Sequence, residues 1–343
     1  MKQIIVHQNE AGQRLDKLLF KILNKAPKSF IYKMLRKKNI VLNGKKADGF
    51  EKLNMDDEIK LFLSDETIEK FSKEINSTGI EQLDSPLSSK LSILYEDPHI
   101  LILNKPIGVL SQKAQAKDIS MVEYLISYLL SSNQISKEEL KLFRPSICNR
   151  LDRNTSGIII AGKSLLGLQE MAHLFKERSL NKYYLCIVKG RLEERKKIEG
   201  YLRKDTEKNM VTIDQRKTDS SDYICTEYEP LQISNPQLGE NRTQGIYTLL
   251  QVRLITGRSH QIRAHLASIG HPLIGDFKYG DQKTNHYFKS NFGLSHQLLH
   301  SSRMIFPEMT GDLSYLSGKE FTADPPKLFL RIKENLFDNQ NLE

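Results

Sequence analysis

The chain has 343 residues, and its 39% hydrophobic and 27% charged residues are ordinary for a soluble globular protein of two domains, or of one large domain with a small appendage. None of its three cysteines lies in a CxxC pair, so neither a zinc site nor a disulfide scaffold is indicated. We expect reduced thiols in a cytoplasmic protein, because the sequence has no run of about 20 apolar residues that would span a bilayer and no apolar signal segment.

The positive charge is concentrated at the start of the chain. Residues 1–46 contain twelve Lys and Arg but only two acids, Glu10 and Asp16, which gives this segment a net charge of +10. The whole chain carries +9, so the other 297 residues carry −1. A basic head on a near-neutral body predicts a phosphate-rich partner, and nucleic acid is favoured over a membrane. A well-solvated surface is the alternative interpretation.

The basic head is predicted to be a small helix–helix–hairpin unit. Leucine and isoleucine recur at helical spacing in residues 14–25, and Ser29 is placed to cap a second helix. The apolar run 40–42 leads into Asn43 and Gly44, which is a strong two-residue hairpin turn. Apolar residues then alternate over 59–63, as in a strand.

This unit resembles the S4 RNA-binding domain over about residues 12–63. The resemblance rests on RLDKLL at 14–19, Ser29, RKK at 36–38 and IVLNGK at 40–45. It implies that basic side chains of the head contact RNA phosphates. These are Arg14, Lys17, Lys33, Arg36, Lys37, Lys38 and Lys45.

After a polar stretch at 64–90, which we interpret as a linker, the pattern changes to short apolar runs and amphipathic segments. We predict strands at 91–94, 100–103, 157–161, 183–188 and 247–254, and helices at 164–178 and 260–269, the second ended by Gly270. This mixture predicts an α+β domain over 91–330.

One carboxylate stands out in the second domain. Asp152 lies in RLDRNTSG at 150–157, among polar and small residues and just before an apolar strand. A loop that enters a buried strand can hold a side chain rigidly. On composition alone, however, an ion pair with Arg150 or Arg153 is the simpler interpretation of this aspartate.

Five ordered segments together resemble the RluA-type pseudouridine synthases, a group that includes the C and D enzymes of the large ribosomal subunit. The segments are LILNKP at 101–106, RLDRNTSG at 150–157, KYYLCIVKG at 182–190, TGRSHQIRAHL at 256–266 with GHPLIGD at 270–276, and the strand 299–306. The resemblance covers nearly all of 91–325. It implies a catalytic domain built on a mixed, largely antiparallel sheet flanked by helices.

The resemblance also implies a catalytic site. Asp152 would be the essential carboxylate, Tyr184 would contact the base, and Arg263 would pair with Asp152. Arginine suits that position because it stays charged and offers a planar fork to a carboxylate, which favours the ionised form. Such enzymes break the N1–C1′ bond of uridine and rejoin the base through C5, so no cofactor is expected. Further substrate contacts are predicted from Arg150, Thr155, Arg258, His260 and Gln261.

The predicted substrate is RNA in which a uridine can be flipped from its stack, at a cost of a few kcal/mol. The 23S rRNA of the large subunit is favoured, and tRNA is the alternative. A non-catalytic RNA-binding or ribosome-assembly factor of the same fold also stays open, as does the chemical route by which Asp152 acts. We expect a monomer without an obligate protein partner.

Two other classes of site are rejected. GIIIAGKS at 157–164 has the spelling of a phosphate-binding loop, but such a loop needs a strand before its first glycine, and here the isoleucines fall inside the motif. An NTPase is therefore not predicted. His260 and His265 are five residues apart and have no Cys or acidic group beside them, so a metal site is not predicted either.

Overall fold

The computed structural model of the protein describes residues 1–7, 9–72, 91–115, 117–137, 139–205, 210–234 and 245–338. The head contains β1 (Lys2–Ile5), α1 (Leu15–Ile22), α2 (Lys28–Arg36), β2 (Ile40–Leu42), β3 (Lys45–Lys46), β4 (Glu58–Leu61) and α3 (Asp65–Phe71). The first part of the body contains β5 (Ser92–Glu96), β6 (Ile100–Lys105), α4 (Met121–Ser131), α5 (Glu139–Leu142), β7 (Ser146–Ile147), β8 (Ser156–Gly162), α6 (Leu165–Glu177) and β9 (Asn181–Lys189). The rest contains β10 (Lys196–Asp205), β11 (Met210–Asp214), β12 (Ser221–Ile233), β13 (Tyr247–Leu254), α7 (Gln261–Ser268), α8 (Gln282–Phe292), β14 (Leu299–Ile305), a 3-10 helix (Gly311–Leu316), β15 (Glu320–Thr322), α9 (Lys327–Lys333) and a π-helical turn (Glu334–Asp338).

The head is an antiparallel sheet in the order β1-β4-β2-β3, with α1 and α2 packed on it around one apolar core. Both turn residues between β2 and β3, Asn43 and Gly44, have positive φ, which is the geometry expected of a tight hairpin. The helix prediction was wrong in one detail. α2 begins at Lys28 after an extended Pro27, so Ser29 lies inside the helix and does not cap it.

The predicted linker at 64–90 begins with a helix. The Ser64 hydroxyl accepts a hydrogen bond from the Thr67 N–H and so caps α3. Ile68 of α3 is buried in the head core, and the Ser72 hydroxyl donates to the Ile22 carbonyl. Phe71 also packs against Phe30, and its carbonyl accepts a hydrogen bond from the Lys25 N–H at 2.9 Å. The described part of the head therefore extends to residue 72. Residues 73–90 lie outside the described residues.

Within the described residues, the body is built on an eleven-stranded sheet in the order β11-β10-β12-β13-β9-β14-β8-β6-β5, with β15 beside β14 and β7 beside β8. Its pairings there are antiparallel except that between β14 and β8. Helices α4, α6, α7 and α8 flank it. The predicted α+β class and the mixed, largely antiparallel sheet are confirmed.

Strand β8 shows why the loop before it is rigid. All seven of its residues are buried, with Ile158 and Ile160 in one core cluster and Ile159 and Ala161 in another. Gly157 has φ of +109°, and a Cβ built there would lie 2.1 Å from the Ser301 carbonyl oxygen, so no larger residue fits. The segment with phosphate-loop spelling is thus a buried strand, as the position of its isoleucines required.

Candidate active site

The Asp152 loop is tied to the loop that follows β6. Ser111 bonds to both backbone polar groups of Leu151, donating to its carbonyl at 2.8 Å and accepting from its N–H at 2.9 Å. Arg153 and Gly108 exchange backbone and side-chain hydrogen bonds at 3.0 Å. The Asp152 carbonyl accepts from the Thr155 N–H at 3.0 Å, which closes a turn. The backbone that carries Asp152 therefore has little freedom.

Lys105 fastens the same two loops from inside the protein. Its side chain is fully buried, and its Nζ donates to the carbonyl oxygens of Pro106 at 2.9 Å, Val109 at 2.8 Å and Arg153 at 3.1 Å. Burial lowers the pKa of Lys105 to about 7. The sequence prediction assigned this lysine no role, and only the folded structure brings the three carbonyl groups around it.

Arg263, on α7, points its guanidinium into the protein toward two carboxylates. Its Nε and Nη2 donate to the two oxygens of Asp276 at 2.7 and 2.9 Å. Asp276 is fully buried, and its Oδ1 also accepts from the N–H groups of Lys278 and Tyr279. Burial alone would lower the pKa of Arg263, but the bonds and charge of Asp276, and then Asp152, outweigh it and raise that pKa.

Asp152 takes the remaining arm of this guanidinium. Nη1 of Arg263 donates to Oδ2 of Asp152 at 2.9 Å, and Nε2 of His260 lies 3.9 Å from the same oxygen. Asp152 is about one-quarter exposed, and its Oδ1 accepts no bond from any residue that the structure describes. The aspartate is thus held in place by one oxygen while the other is available to a bound molecule.

Tyr184 lies on β9 beside β13 and β14 and lines the same pocket as Asp152. It is only 6% exposed and packs with Leu151, Val252 and Ile262. Burial raises the pKa of its hydroxyl to about 12, so the phenol is neutral near neutral pH. The three predicted chemical positions, which are 111 residues apart at their extremes, therefore meet in one place.

A basic groove surrounds this place. It has a volume of about 760 Å³ and adjoins a smaller pocket of about 90 Å³, and Asp152 and Tyr184 line both. Asp152 is the one acidic residue among the described residues that line the groove. The eight basic residues that line it are Lys113, Arg150, Arg153, Lys176, Arg178, Lys182, Lys204 and Arg258. Such a surface attracts a polyanion, and one carboxylate lies among its basic residues.

The five predicted substrate contacts all line the smaller pocket, but they differ in what they can offer. Arg150 is exposed, and Arg258 is exposed with an ion pair to Asp222 at 2.9 Å. Thr155 is 2% exposed and accepts from the Gln297 amide.

Gln261 is also 2% exposed, and its amide bonds to Thr256, Thr226, the Cys225 carbonyl and the Arg258 N–H. Its polar atoms are used within the protein, so it shapes the pocket from beneath. His260 stands at the edge of the pocket, and its Nδ1 lies 2.9 Å from the Tyr279 hydroxyl.

On the head, all seven of the predicted RNA-contacting side chains are exposed: Arg14, Lys17, Lys33, Arg36, Lys37, Lys38 and Lys45. Arg14 differs in its partners, because its guanidinium makes two bonds to the buried Asp16 and lies 4.5 Å from the ring centre of Phe50. Phe50 is 63% exposed, so this pair presents an aromatic ring on the basic surface.

Besides Lys105, two residues of the site were not singled out from the sequence. Asp276 was part of a matched segment, but nothing assigned it to Arg263. A buried arginine requires a buried acid, and that rule was the available signal. Tyr279, three residues further on, carries no such signal, since it meets His260 only through the fold of the loop after α7.

No group of three or more His, Cys, Asp or Glu in the described part of the chain is arranged to hold a metal ion. No helix in that part is long and apolar enough to cross a membrane.

A mixed sheet with a basic groove over one arginine-held carboxylate is an arrangement suited to an enzyme that acts on nucleic acid. The family model described as RNA pseudouridylate synthase matches residues 99–268, a range that contains Asp152, Tyr184 and Arg263. The chain belongs to the RluA-type RNA pseudouridine synthases, which are isomerases.

The relatives that match most of the chain are also named as pseudouridine synthases. The ribosomal large subunit pseudouridine synthase C of Vibrio cholerae is 29% identical over 317 residues, covering 88% of each chain. The enzyme of the same name from Escherichia coli is 28% identical over 313 residues, covering 89% of this chain and 88% of its own. An uncharacterised RNA pseudouridine synthase of Mycoplasma genitalium is 28% identical over 307 residues, or 90% of each chain.

Two solved human structures share the fold. Human RNA pseudouridylate synthase domain containing 4 has a TM-score of 0.56 at 19% identity, covering 76% of this chain and 97% of its own. Human RNA pseudouridylate synthase domain containing 1 has a TM-score of 0.53 at 22% identity, covering 70% of this chain and 85% of its own.

Proposed function

We propose that this protein converts uridine to pseudouridine in RNA, with Asp152 as the catalytic carboxylate. The proposal rests on how Asp152 is bound. Arg263 donates a hydrogen bond to Oδ2, and the described residues leave Oδ1 free in the basic groove. A carboxylate that must react with a nucleotide has to be fixed and reachable, and this arrangement provides both conditions.

The reaction needs no oxidant or energy source. The N1–C1′ bond breaks, the base turns, and C5 bonds to C1′; N1 gains a proton and C5 loses one, so the atoms balance. Asp152 supplies the carboxylate that acts on the nucleotide. Tyr184 offers an aromatic face to the uracil and a neutral hydroxyl for a hydrogen bond. Arg263 holds Asp152 in its orientation through the bond from Nη1 to Oδ2.

The substrate enters as a flipped base. A uridine that stays stacked between its neighbours cannot bring its base and sugar against the partly buried Asp152, so the nucleotide must leave its stack, at a cost of a few kcal/mol. The eight basic residues that line the groove suit the phosphates on either side of the flipped nucleotide. The cost of flipping a uridine is lowest in loops, which favours structured RNA with exposed uridines.

The head would increase the affinity of the protein for RNA. Its exposed lysines and arginines offer phosphate contacts, and the exposed ring of Phe50 offers a stacking surface for an unpaired base. We propose that residues 1–72 form the S4-like RNA-binding unit and that the rest of the described chain carries the reaction. The preferred substrate is 23S rRNA, because the relatives from Vibrio cholerae and Escherichia coli, which match nearly nine-tenths of the chain, are named as large-subunit enzymes.

The test uses the purified full chain with 23S rRNA fragments and with tRNA transcripts, and pseudouridine is mapped by chemical labelling and primer extension. We expect product in the rRNA fragments with the wild type and none with Asp152→Asn, while both proteins bind the rRNA equally. If the wild type modifies no RNA, or if Asp152→Asn is as active as the wild type, the proposal is wrong. Product in tRNA alone would overturn the rRNA assignment and leave the reaction in place.

A further inference from the structure

The imidazole of His260 is fixed on one side by a phenol. Its Nδ1 lies 2.9 Å from the Tyr279 hydroxyl oxygen, and that oxygen also accepts the Val211 N–H at 2.9 Å. A phenol has one proton to donate. Among the described residues, Nδ1 of His260 is the one acceptor within reach of the Tyr279 hydroxyl. When the hydroxyl donates its proton to Nδ1, a neutral His260 carries its own proton on Nε2.

That Nε2 faces the catalytic carboxylate. It lies 3.9 Å from Oδ2 of Asp152, which is beyond a hydrogen bond in the free enzyme but within reach of a small rearrangement when substrate binds. His260 also has a left-handed backbone with φ of 55°, directly before α7, and its side chain does not cap the helix. A strained backbone of this kind persists where other contacts fix the side chain, and Tyr279 supplies that contact.

We propose that Tyr279 is a positioning residue, which holds His260 in the neutral Nε2–H form so that an uncharged hydrogen-bond donor stands beside Oδ2 of Asp152. This inference rests on the proposed function of Asp152. In the complex with RNA, Nε2 donates to the carboxylate and keeps it turned toward the bound nucleotide. Nδ1 takes no part in the chemistry, because the Tyr279 hydroxyl occupies its lone pair.

The charge state of His260 matters because of its neighbours. Asp152 and Asp276 face it as anions, and Arg263 and Lys278 face it as cations. Burial lowers the pKa of His260, Asp152 opposes this, and Arg263 and Lys278 add to it. A protonated imidazole would place a full positive charge against Asp152 and hold the carboxylate away from the nucleotide. Activity should therefore fall as the pH drops through the pKa of His260.

Tyr279→Phe tests the role of the hydroxyl. The hydroxyl bonds to the neutral ring and so opposes protonation, which means that its loss should raise the pKa of His260. We expect kcat to fall about tenfold, which is the effect of one lost hydrogen bond, with KM within about twofold. The acid limb of the pH profile should move to higher pH. Tyr287→Phe is the matched control, because the buried Tyr287 hydroxyl has no hydrogen-bond partner in the described structure.

Two further measurements keep the inference testable if Tyr279→Phe folds poorly. The nitrogen NMR spectrum of isotope-labelled histidine should show Nδ1 of His260 unprotonated and Nε2 protonated in the free wild type. His260→Gln keeps an N–H donor near the Nε2 position but cannot titrate, so it should retain part of the activity and lose the acid limb. His260→Ala should lose both the remaining activity and the acid limb of the pH profile.

A wild-type spectrum with the proton on Nδ1 would refute the tautomer assignment. An unchanged kcat and an unchanged acid limb in a folded Tyr279→Phe would refute the positioning role. These outcomes differ from failure of the proposed function, in which the wild type would form no pseudouridine at all. In that case the NMR spectrum would still decide between the two tautomers.

Discussion

Arg263 reaches Asp152 through one nitrogen atom only, because Asp276 occupies its Nε and Nη2. The buried pair of Arg263 and Asp276 sets the direction of the guanidinium before any substrate binds. Because Asp276 occupies Nε and Nη2 of Arg263, the positive charge that stabilises Asp152 comes from a fixed position. The site is thus organised as a chain of two carboxylates with one arginine between them.

Arg263→Lys should damage catalysis more than binding. A lysine keeps the charge but has no planar fork, so it cannot bond to both carboxylates with the same geometry. We expect kcat to fall by about 10- to 100-fold, as for the loss of a charge-assisted bond, with RNA affinity nearly unchanged. Single-turnover kinetics and filter binding would measure the two effects. An equal loss in both would show that Arg263 acts mainly on RNA binding.

Asp276→Asn should destabilise the fold. It removes the buried partner of Arg263 and leaves Asp152, which is about one-quarter exposed, as the remaining carboxylate beside that guanidinium. We therefore expect a cost of about 3 kcal/mol in the free energy of unfolding. Denaturant titration would measure this cost. The exposed pair of Arg191 and Glu193, with side chains 59% and 62% exposed, is the control, and Glu193→Gln should cost less than about 1 kcal/mol. Similar costs for the two variants would contradict the structural role of Asp276.

Tyr184 and Tyr183 provide a matched comparison, because neighbouring residues of a strand face opposite sides of the sheet. Tyr184 lines the pocket with Asp152, whereas Tyr183 packs against Arg303, whose Cζ lies 4.1 Å from its ring centre. Tyr184→Phe keeps the ring and loses the hydroxyl, so we expect kcat to fall at least about tenfold with RNA affinity unchanged. Tyr183→Phe should leave kcat unchanged. Equal effects on kcat would exclude a specific role for the Tyr184 hydroxyl.

His265 should make stability depend on pH. Burial lowers its pKa to about 4, and the ordinary value is 6.5. Between these values the unfolded chain binds a proton that the folded chain does not, so the free energy of unfolding falls as the pH is lowered from 6.5 to 4. This group contributes about 2 kcal/mol to the loss between about pH 7 and pH 5.

His265→Gln should therefore lose less stability than the wild type over that interval, as measured by denaturant titration at both pH values. His286 is exposed, so its ring stays in water in both states, and His286→Gln should keep the wild-type dependence. An unchanged dependence in His265→Gln would mean that the buried ring does not titrate as expected.

The head should set the salt dependence of RNA binding. Replacing Lys33, Arg36 and Lys37 with alanine removes three exposed charges from one helix and its end. If each contacts a phosphate, the slope of log affinity against log salt should become shallower by about 2. The control replaces three exposed lysines of the body, Lys283, Lys289 and Lys327, and should change the slope little. Equal slopes in the two triple variants would show that this face of the head does not bind RNA.

Much of the fold was predictable because its signals are local. The apolar spacing of α1 and the Asn43–Gly44 turn each depend on a few neighbouring residues, and the structure has both features. α3 was missed because its apolar contacts with the head come from two residues, Ile68 and Phe71, in a segment that is otherwise polar. The start of α2 was misplaced because Pro27 rather than Ser29 takes the extended position before the helix.

The sequence by itself determined the family and the basic head, and it predicted Asp152, Tyr184 and Arg263 as the site, because these features are carried by residue types in ordered segments. Only the tertiary structure decided which groups surround Asp152. Asp276 and Tyr279 reach the site through the loop after α7, and Lys105 reaches it through carbonyl groups of two other loops. Such contacts join residues far apart in the chain, and the direction of a side chain there follows from packing, which no local pattern encodes.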